Sequence, residues 1–179
     1  MQCKIIDDFL TPTYHDRILK QLLSAECPWY YHQNITQNSN VKDNTLYDFG
    51  FASSITKDGV KWSNVFFIPF VYQIQDQLPP TSIGRVRLDM TLYNPNSIVH
   101  QPHIDMPDPH YASIYYVNDS DGDTIIYNET TPHNGFTEQL RVQPKANRLL
   151  IFDGKYYHTG SSPSQHKNRI IINTNLYKQ

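Results

Sequence analysis

The chain has 179 residues, a formal net charge of −2 and 18% charged residues, enough for one domain with a sizeable core and too few for two ordinary ones. Lys and Arg are interspersed with Asp and Glu, which leaves no basic stripe for nucleic acid and no polybasic patch for a membrane. No apolar run approaches a membrane span, and Met1 to Asp8 lacks the apolar stretch of a secretion signal, so a cytoplasmic location is expected, with Cys3 and Cys27 as reduced thiols.

Cys3 to Ile6 reads as a short strand. A helix follows, with Thr11 as N-cap, Pro12 in the first helical position, and Tyr14, Ile18 and Leu22 with Leu19 and Leu23 on one apolar face. Gln33 to Asn44 is polar and Asn-rich and reads as a long loop. Val65 to Leu78 reads as a second helix, started or kinked by Pro69 and ended by Pro79-Pro80. From Ile83 the pattern changes: Val86, Leu88, Met90 and Leu92 alternate with Arg87, Asp89, Thr91 and Tyr93, a period of two. Further strands fit 98–104, 111–118, 123–128, 137–142, 148–152 and 168–176. Two helices followed by a run of short strands is the order of an α+β, mostly β domain. Its strands would form two facing sheets, a jelly roll, with both N-terminal helices packed on one sheet. One domain, 1–179, is expected, with 1–82 as helical support and lid and 83–179 as the jelly-roll core.

The informative motif is His103-Ile104-Asp105, with His158 following 53 residues after Asp105 and Arg169 a further 11 residues on. Two imidazoles and one carboxylate are the protein ligands of a mononuclear non-heme iron(II) centre, which keeps its other positions open. In an extended strand, residues i and i+2 share a face about 6.6–6.8 Å apart, so His103 and Asp105 reach one ion while Ile104 points away. A zinc site using His100 and His103 is the competing arrangement, but an i, i+3 pair meets on a helix and Pro102 argues against one. Arg169 starts an otherwise apolar strand, Asn168 to Asn173, where an unpaired charge is costly. A dicarboxylate would partner its guanidinium in a bidentate fork. The segment Asp105 to His110, with Pro107 and Pro109, and the loop Gln33 to Asn44 are expected to wall the substrate entrance.

From about Arg85 to Leu176 the ordered set resembles the Fe(II)- and 2-oxoglutarate-dependent dioxygenases, and among them the small prolyl 4-hydroxylase-like enzymes. The resemblance rests on His103, Asp105, His158 and Arg169; on Tyr93 in Leu92-Tyr93-Asn94-Pro95; and on Tyr116 in Ile114-Tyr115-Tyr116-Val117-Asn118. Gly122-Asp123-Thr124-Ile125-Ile126-Tyr127 and Val142-Gln143-Pro144 leading to Asn147 through Phe152 keep the same order. It implies a double-stranded β-helix, the jelly-roll architecture already read from the pattern. It implies Fe(II) held by His103, Asp105 and His158, and 2-oxoglutarate anchored by Arg169 with Tyr116 and Tyr93. O2 would be the oxidant, and ascorbate an accessory reductant. Lys167 is the competing anchor, because collagen-type enzymes use Lys near this spacing, but it precedes the apolar strand.

The implied activity is hydroxylation of an unactivated C–H bond, first of all in a prolyl residue of a protein or peptide. A free amino acid or small metabolite is the alternative substrate, and a non-catalytic metal-binding jelly-roll sensor the alternative from another class. Asp105 favours hydroxylation over halogenation, because related halogenases replace this carboxylate with a small residue. Two departures concern the substrate. Prolyl hydroxylases often carry Trp six residues after the anchoring base, where this chain has Asn175, and Asp123 stands where a second Gly is common.

Overall fold

The computed structural model describes residues 3–35 and 49–179. In chain order they form β1 (Lys4–Ile6), α1 (Pro12–Leu23), β2 (Tyr30–His32), β3 (Gly50–Thr56), a 3-10 turn (Val65–Phe67), α2 (Ile68–Gln75), β4 (Thr81–Leu92), β5 (His110–Tyr116), β6 (Thr124–Tyr127), β7 (Glu138–Val142), β8 (Arg148–Asp153), β9 (His158–Gly160) and β10 (Asn168–Lys178). Seven strands make one sheet in the order β1-β8-β5-β10-β4-β3-β2, and three make a second, β7-β6-β9. The sheets face each other as the expected jelly roll. Ala112, Ile114, Tyr116, Leu150, Phe152 and Ile171 of the large sheet pack against Ile126 and Val142 of the small one.

β10 is central to the large sheet, paired with β4 on one side and β5 on the other. Because side chains alternate across a strand, its residues divide cleanly. Ile170, Ile172 and Leu176 join Val86 and Leu88 of β4 on the outer face, where Ile18 and Leu22 of α1 and Phe70, Val71 and Ile74 of α2 cover them. Both N-terminal helices thus lie on one sheet, as the sequence implied. Arg169, Ile171, Asn173 and Asn175 have the opposite parity and face the space between the sheets. Among the described residues no helix is long and apolar enough to cross a membrane.

Several local expectations change. Thr11 begins α1 through its carbonyl, which accepts the N–H groups of Tyr14 and His15, while its side chain makes no capping bond. Leu23, expected on the apolar face, is 59% exposed, because the helix ends there. The second helix is shorter than Val65 to Leu78. It opens as a 3-10 turn in which the Asn64 side chain accepts from the Phe66 N–H (3.0 Å), and Pro69 sits in the first turn of α2 and so starts it. The segment 98–104 is not a continuous strand: it meets β9 through two isolated bridges, Val99 with Ser161 and His103 with His158. Pro102, between them, has no N–H for a ladder bond. β2, β3 and β9 were not anticipated, and residues 36–44 of the expected loop Gln33 to Asn44 lie outside the described residues.

One polar residue ties the N-terminal segment to the sheet. Asn147, between β7 and β8, holds a left-handed backbone (φ 63°) that Asn tolerates better than most residues. Its side-chain N–H donates to the Leu10 carbonyl (2.8 Å), and its Oδ1 accepts from the Leu10 N–H (2.8 Å) and the Tyr115 hydroxyl (3.0 Å). Asn147→Ala leaves the Leu10 N–H and carbonyl unpaired and removes one of the two partners of the Tyr115 hydroxyl, which keeps His15 Nδ1 at 2.6 Å. It is expected to cost about 2–4 kcal/mol in chemical denaturation, and a loss below about 1 kcal/mol would remove this role.

Candidate metal centre

His103, Asp105 and His158 converge. One nitrogen or oxygen from each lies within 4.8 Å of the others. His103 Nε2 is 3.8 Å from Asp105 Oδ1, and His158 Nε2 is 3.6 Å from Asp105 Oδ2. With bonds of about 2.1 Å, neighbouring ligands of an octahedral ion lie about 3 Å apart and opposite ones about 4.2 Å apart. The two observed separations lie between these values, so the three side chains stand close enough for one ion to be reached by all of them.

Elements on both sheets position these donors. His158 opens β9, and its backbone exchanges both hydrogen bonds with His103 (2.9 and 3.0 Å); this brings the imidazole centroids to 4.7 Å. Each ring donates Nδ1–H to the carbonyl two residues earlier, His103 to Gln101 (3.2 Å) and His158 to Tyr156 (3.3 Å). That arrangement fixes the tautomer and leaves both Nε2 lone pairs free, the usual second contact of a ligating imidazole. Burial, and then His158 alongside, push His103 down to about 4, so it is neutral at pH 7 and able to ligate.

The Asp105 side chain is 2% exposed and every side of it is occupied. Arg85 Nη2 donates to Oδ1 (2.8 Å). Asn173 and Asn175 donate their side-chain amides to Oδ2 (3.1 and 2.8 Å). Asn175 also accepts from Arg85 Nε (3.1 Å), which closes a ring around the carboxylate. Burial alone would push the Asp105 carboxyl up, but His158 beside it and the charge of Arg85 outweigh it and hold it well below the usual carboxylate range. The sequence pointed to the three ligands and missed these three supports. Arg85 and Asn173 sit in strands that read as ordinary alternation, and only the β4–β10 register, which pairs Arg85 with Asn175, reveals their convergence.

The cavity at this centre, lined by His103 and His158, is also lined by Arg169, Thr91, Arg87, Asp89, Ile171, Asn173, Phe51 and Ile35. Arg169 is buried with no carboxylate partner among the described residues. Its Nη2 donates to Thr124 Oγ1 (2.8 Å), its Nε has no partner, and the guanidinium lies 5.8 Å from the Tyr116 ring centroid. A Cβ on Gly160 would press its guanidinium at 3.2 Å, and one on Gly122 its stem at 2.9 Å, so both glycines make room for it. The Tyr116 hydroxyl donates to the same Thr124 oxygen (2.7 Å), and burial pushes it up to about 12, so it stays protonated. Of five buried side-chain atoms without partners among the described residues, Thr91 Oγ1, Arg169 Nε and Asn173 Oδ1 belong to residues lining this one cavity. Native proteins leave few such atoms unpaired, and their clustering marks a place for a polar ligand.

Other expected residues fall elsewhere. Tyr93 lies just beyond β4, is 55% exposed and does not line the cavity, because the chain turns away after Leu92. Lys167 is exposed, which leaves Arg169 as the buried base. His100 does line the cavity, but it is not one of the three clustered donors: it is buried, and its ring meets the Ser162 hydroxyl (3.1 Å). Met106 to His110 line a different cavity with Ile104, Asp153 and Lys178, so that segment is not a wall of the metal cavity. Ile35, within the loop Gln33 to Asn44 that was expected to wall the entrance, does line it.

The sequence matches no family model and no curated protein. Solved structures are similar over nearly the whole chain. A prolyl hydroxylase from Trichoplax adhaerens, in complex with a hypoxia inducible factor peptide fragment, aligns at 18% identity and TM-score 0.66, over 98% of this chain and 83% of that one. The non-heme epimerase SnoN from nogalamycin biosynthesis, in complex with Fe3+, alpha ketoglutarate and nogalamycin RO, aligns at 10% identity and TM-score 0.72, over 98% and 78%. A Pseudomonas putida prolyl-4-hydroxylase aligns at 11% and 0.56, over 99% and 92%. At these identities the likeness shows the fold.

The ring around Asp105 yields a test. Asn175→Leu keeps the volume but removes one donor to Asp105 and the acceptor for Arg85, and Mn(II) affinity by calorimetry is expected to fall about 10–100-fold. Arg85→Gln is expected to lose less, since removing a positive charge near a dication offsets part of the lost orientation. Affinity unchanged in Asn175→Leu would mean that the ring does not orient the ligand.

Proposed function

We propose that this chain is an Fe(II)- and 2-oxoglutarate-dependent dioxygenase that hydroxylates an unactivated C–H bond. One observation carries the proposal: a cluster of three metal donors, two of which line the cavity, stands beside a buried arginine in that cavity with no carboxylate partner among the described residues. His103, Asp105 and His158 would hold Fe(II), and the donor set suits it: two neutral imidazoles and one carboxylate. When bound, the iron and the 2-oxo acid together supply O2 activation through oxidative decarboxylation. The chain's own residues do the rest.

Arg169 offers a guanidinium to the distal carboxylate of the co-substrate, with Thr124 and the protonated Tyr116 hydroxyl fixing its position. Desolvation, which lowers the affinity of Arg169 for its proton, is what makes an anion there favourable. Ile171 and Ile114 line the same cavity and keep water from the reacting centre. Tyr93, far from the cavity wall, is not part of this anchor.

A prolyl residue in a peptide draws support from the likeness to a prolyl hydroxylase solved with a peptide. The same fold also serves an epimerase, so the fold alone does not choose the substrate.

Mn(II) in place of iron is expected to make 2-oxoglutarate binding measurable by calorimetry and to raise Tm, with no 2-oxoglutarate binding in its absence. Arg169→Ala should preserve metal binding and weaken 2-oxoglutarate binding by about 30-fold or more, the loss of a charge-assisted pair. Asp105→Ala should remove metal binding. Arg169→Ala abolishing metal binding while keeping co-substrate affinity would overturn these roles.

A further inference from the structure

The wall of the cavity holds a second guanidinium that the co-substrate does not need. Arg87 and Asp89 have the same parity on β4 as Arg85 and Thr91, and both line the cavity. The Arg87 Nε is held by both oxygens of Asp89 (2.8 and 3.0 Å). That contact orients the guanidinium from behind and leaves Nη1 and Nη2, with four N–H groups, free of partners among the described residues. The side chain is 19% exposed, so it is mostly withdrawn from water. It lines the same cavity as His103 and His158.

Its neighbour across the sheet completes the pattern. The β4–β10 register pairs Arg87 with Asn173. Asn173 commits its amide N–H to Asp105 (3.1 Å), while its Oδ1 is buried and without a partner. A fork of donors and a lone acceptor therefore stand side by side in one cavity. Arg85 is paired with Asp105 and Arg87 with Asp89, but only Arg87 of these two lines the cavity, and its pairing through Nε keeps its outer N–H groups open for a ligand.

Resting on the co-substrate reading above, we infer that the substrate is a small free carboxylic acid, its carboxylate seated on Arg87. A hydrogen-bond donor beside that carboxylate would meet Asn173 Oδ1, and a free amino acid is the simplest member of this class. An internal prolyl residue of a peptide has no carboxylate at that point and would leave the Arg87 fork unpaired. Ile35 and Phe51, which line the same cavity, give the apolar part of a small molecule a surface. Arg87 is thus a specificity-determining residue, and Asp89 positions it.

The test uses the whole chain with Mn(II) and 2-oxoglutarate, which bind without turnover, titrated by calorimetry. The probes are the twenty free L-amino acids, short 2-hydroxy acids, the carboxamide of each, and one end-capped proline-containing peptide. At least one free acid should bind about tenfold or more tightly than its own amide. Arg87→Gln should bring that acid down to the level of the amide while 2-oxoglutarate affinity stays within about twofold. Arg87→Lys, which keeps the charge but loses the fork, should fall between them and guards against a misfolded Gln variant. A panel in which no acid outperforms its amide overturns the inference, and so does a capped peptide that binds best and ignores Arg87→Gln. Loss of 2-oxoglutarate binding in Arg87→Gln would assign Arg87 to the co-substrate and also overturn it. Failure of wild-type chain to bind 2-oxoglutarate with Mn(II) is a separate result: it removes the dioxygenase reading on which the inference stands.

Discussion

Asp105 places a negative charge between two sheets, and the arrangement of the site follows from what keeps it there. A buried carboxylate left alone costs several kcal/mol. Here Arg85, Asn173, Asn175 and two imidazoles surround it. The supports come from two adjacent strands, so β4 and β10 must be in one register for the ring to close. The regular pairing shifts between Asn175 and Leu176, immediately after the last support. Irregularities of this kind re-aim side chains beside functional sites. The aspartate, the arginine and both asparagines therefore form one unit, and changing any one alters how the carboxylate faces the ion.

β10 serves the core and the cavity at once. Its outward residues Ile170, Ile172 and Leu176 hold the helices to the sheet, while its inward residues Arg169, Asn173 and Asn175 hold ligand-facing groups. A slip of one residue would exchange the two sets, putting arginine under the helices and isoleucines around the metal donors. Both errors are costly, so the register of this strand is specified from both faces. Asn147 adds a third constraint, fixing Phe9 and Leu10 over the same outer face through backbone and side-chain bonds.

Legibility in the sequence tracks how local each signal is. Strands with clear alternation or continuous apolar runs, such as 111–118, 148–152 and 168–176, were visible because they need only a neighbour on each face. β2 and β9, three residues each, are too short to show a period, and the expected strand 98–104 failed because Pro102 interrupts its ladder. The cluster of His103, Asp105 and His158 was legible because His103 and Asp105 are two residues apart and the third histidine follows at a familiar interval. Arg85, Arg87 and Asn173 were not, since a charge or amide on an alternating strand looks the same whether its face meets water or a second sheet. Asn175 shows the limit well. The sequence marks it only as a missing Trp, whereas in the structure its amide holds Asp105.

The cost of this cavity is concentrated on its wall. Thr91, Arg169 and Asn173 each keep a buried polar atom without a partner, and each such atom costs about 1–3 kcal/mol. That cost is tolerable where ligands supply the missing partners, and the placement of these atoms orders the ligands. Arg169 is buried, with Tyr116, Thr124 and Gly160 closed around it. The Asp105 and His158 side chains are buried as well, at 2 and 3% exposed, whereas His103 and Arg87 are 21 and 19% exposed. β2, the edge strand of the large sheet, keeps Tyr30 and Tyr31 about 60 and 61% exposed, so that edge is much less anchored than β10 at the centre. A ligand held at the buried Arg169 is therefore the more enclosed one, and a ligand held at the partly exposed Arg87 is the one nearer to water.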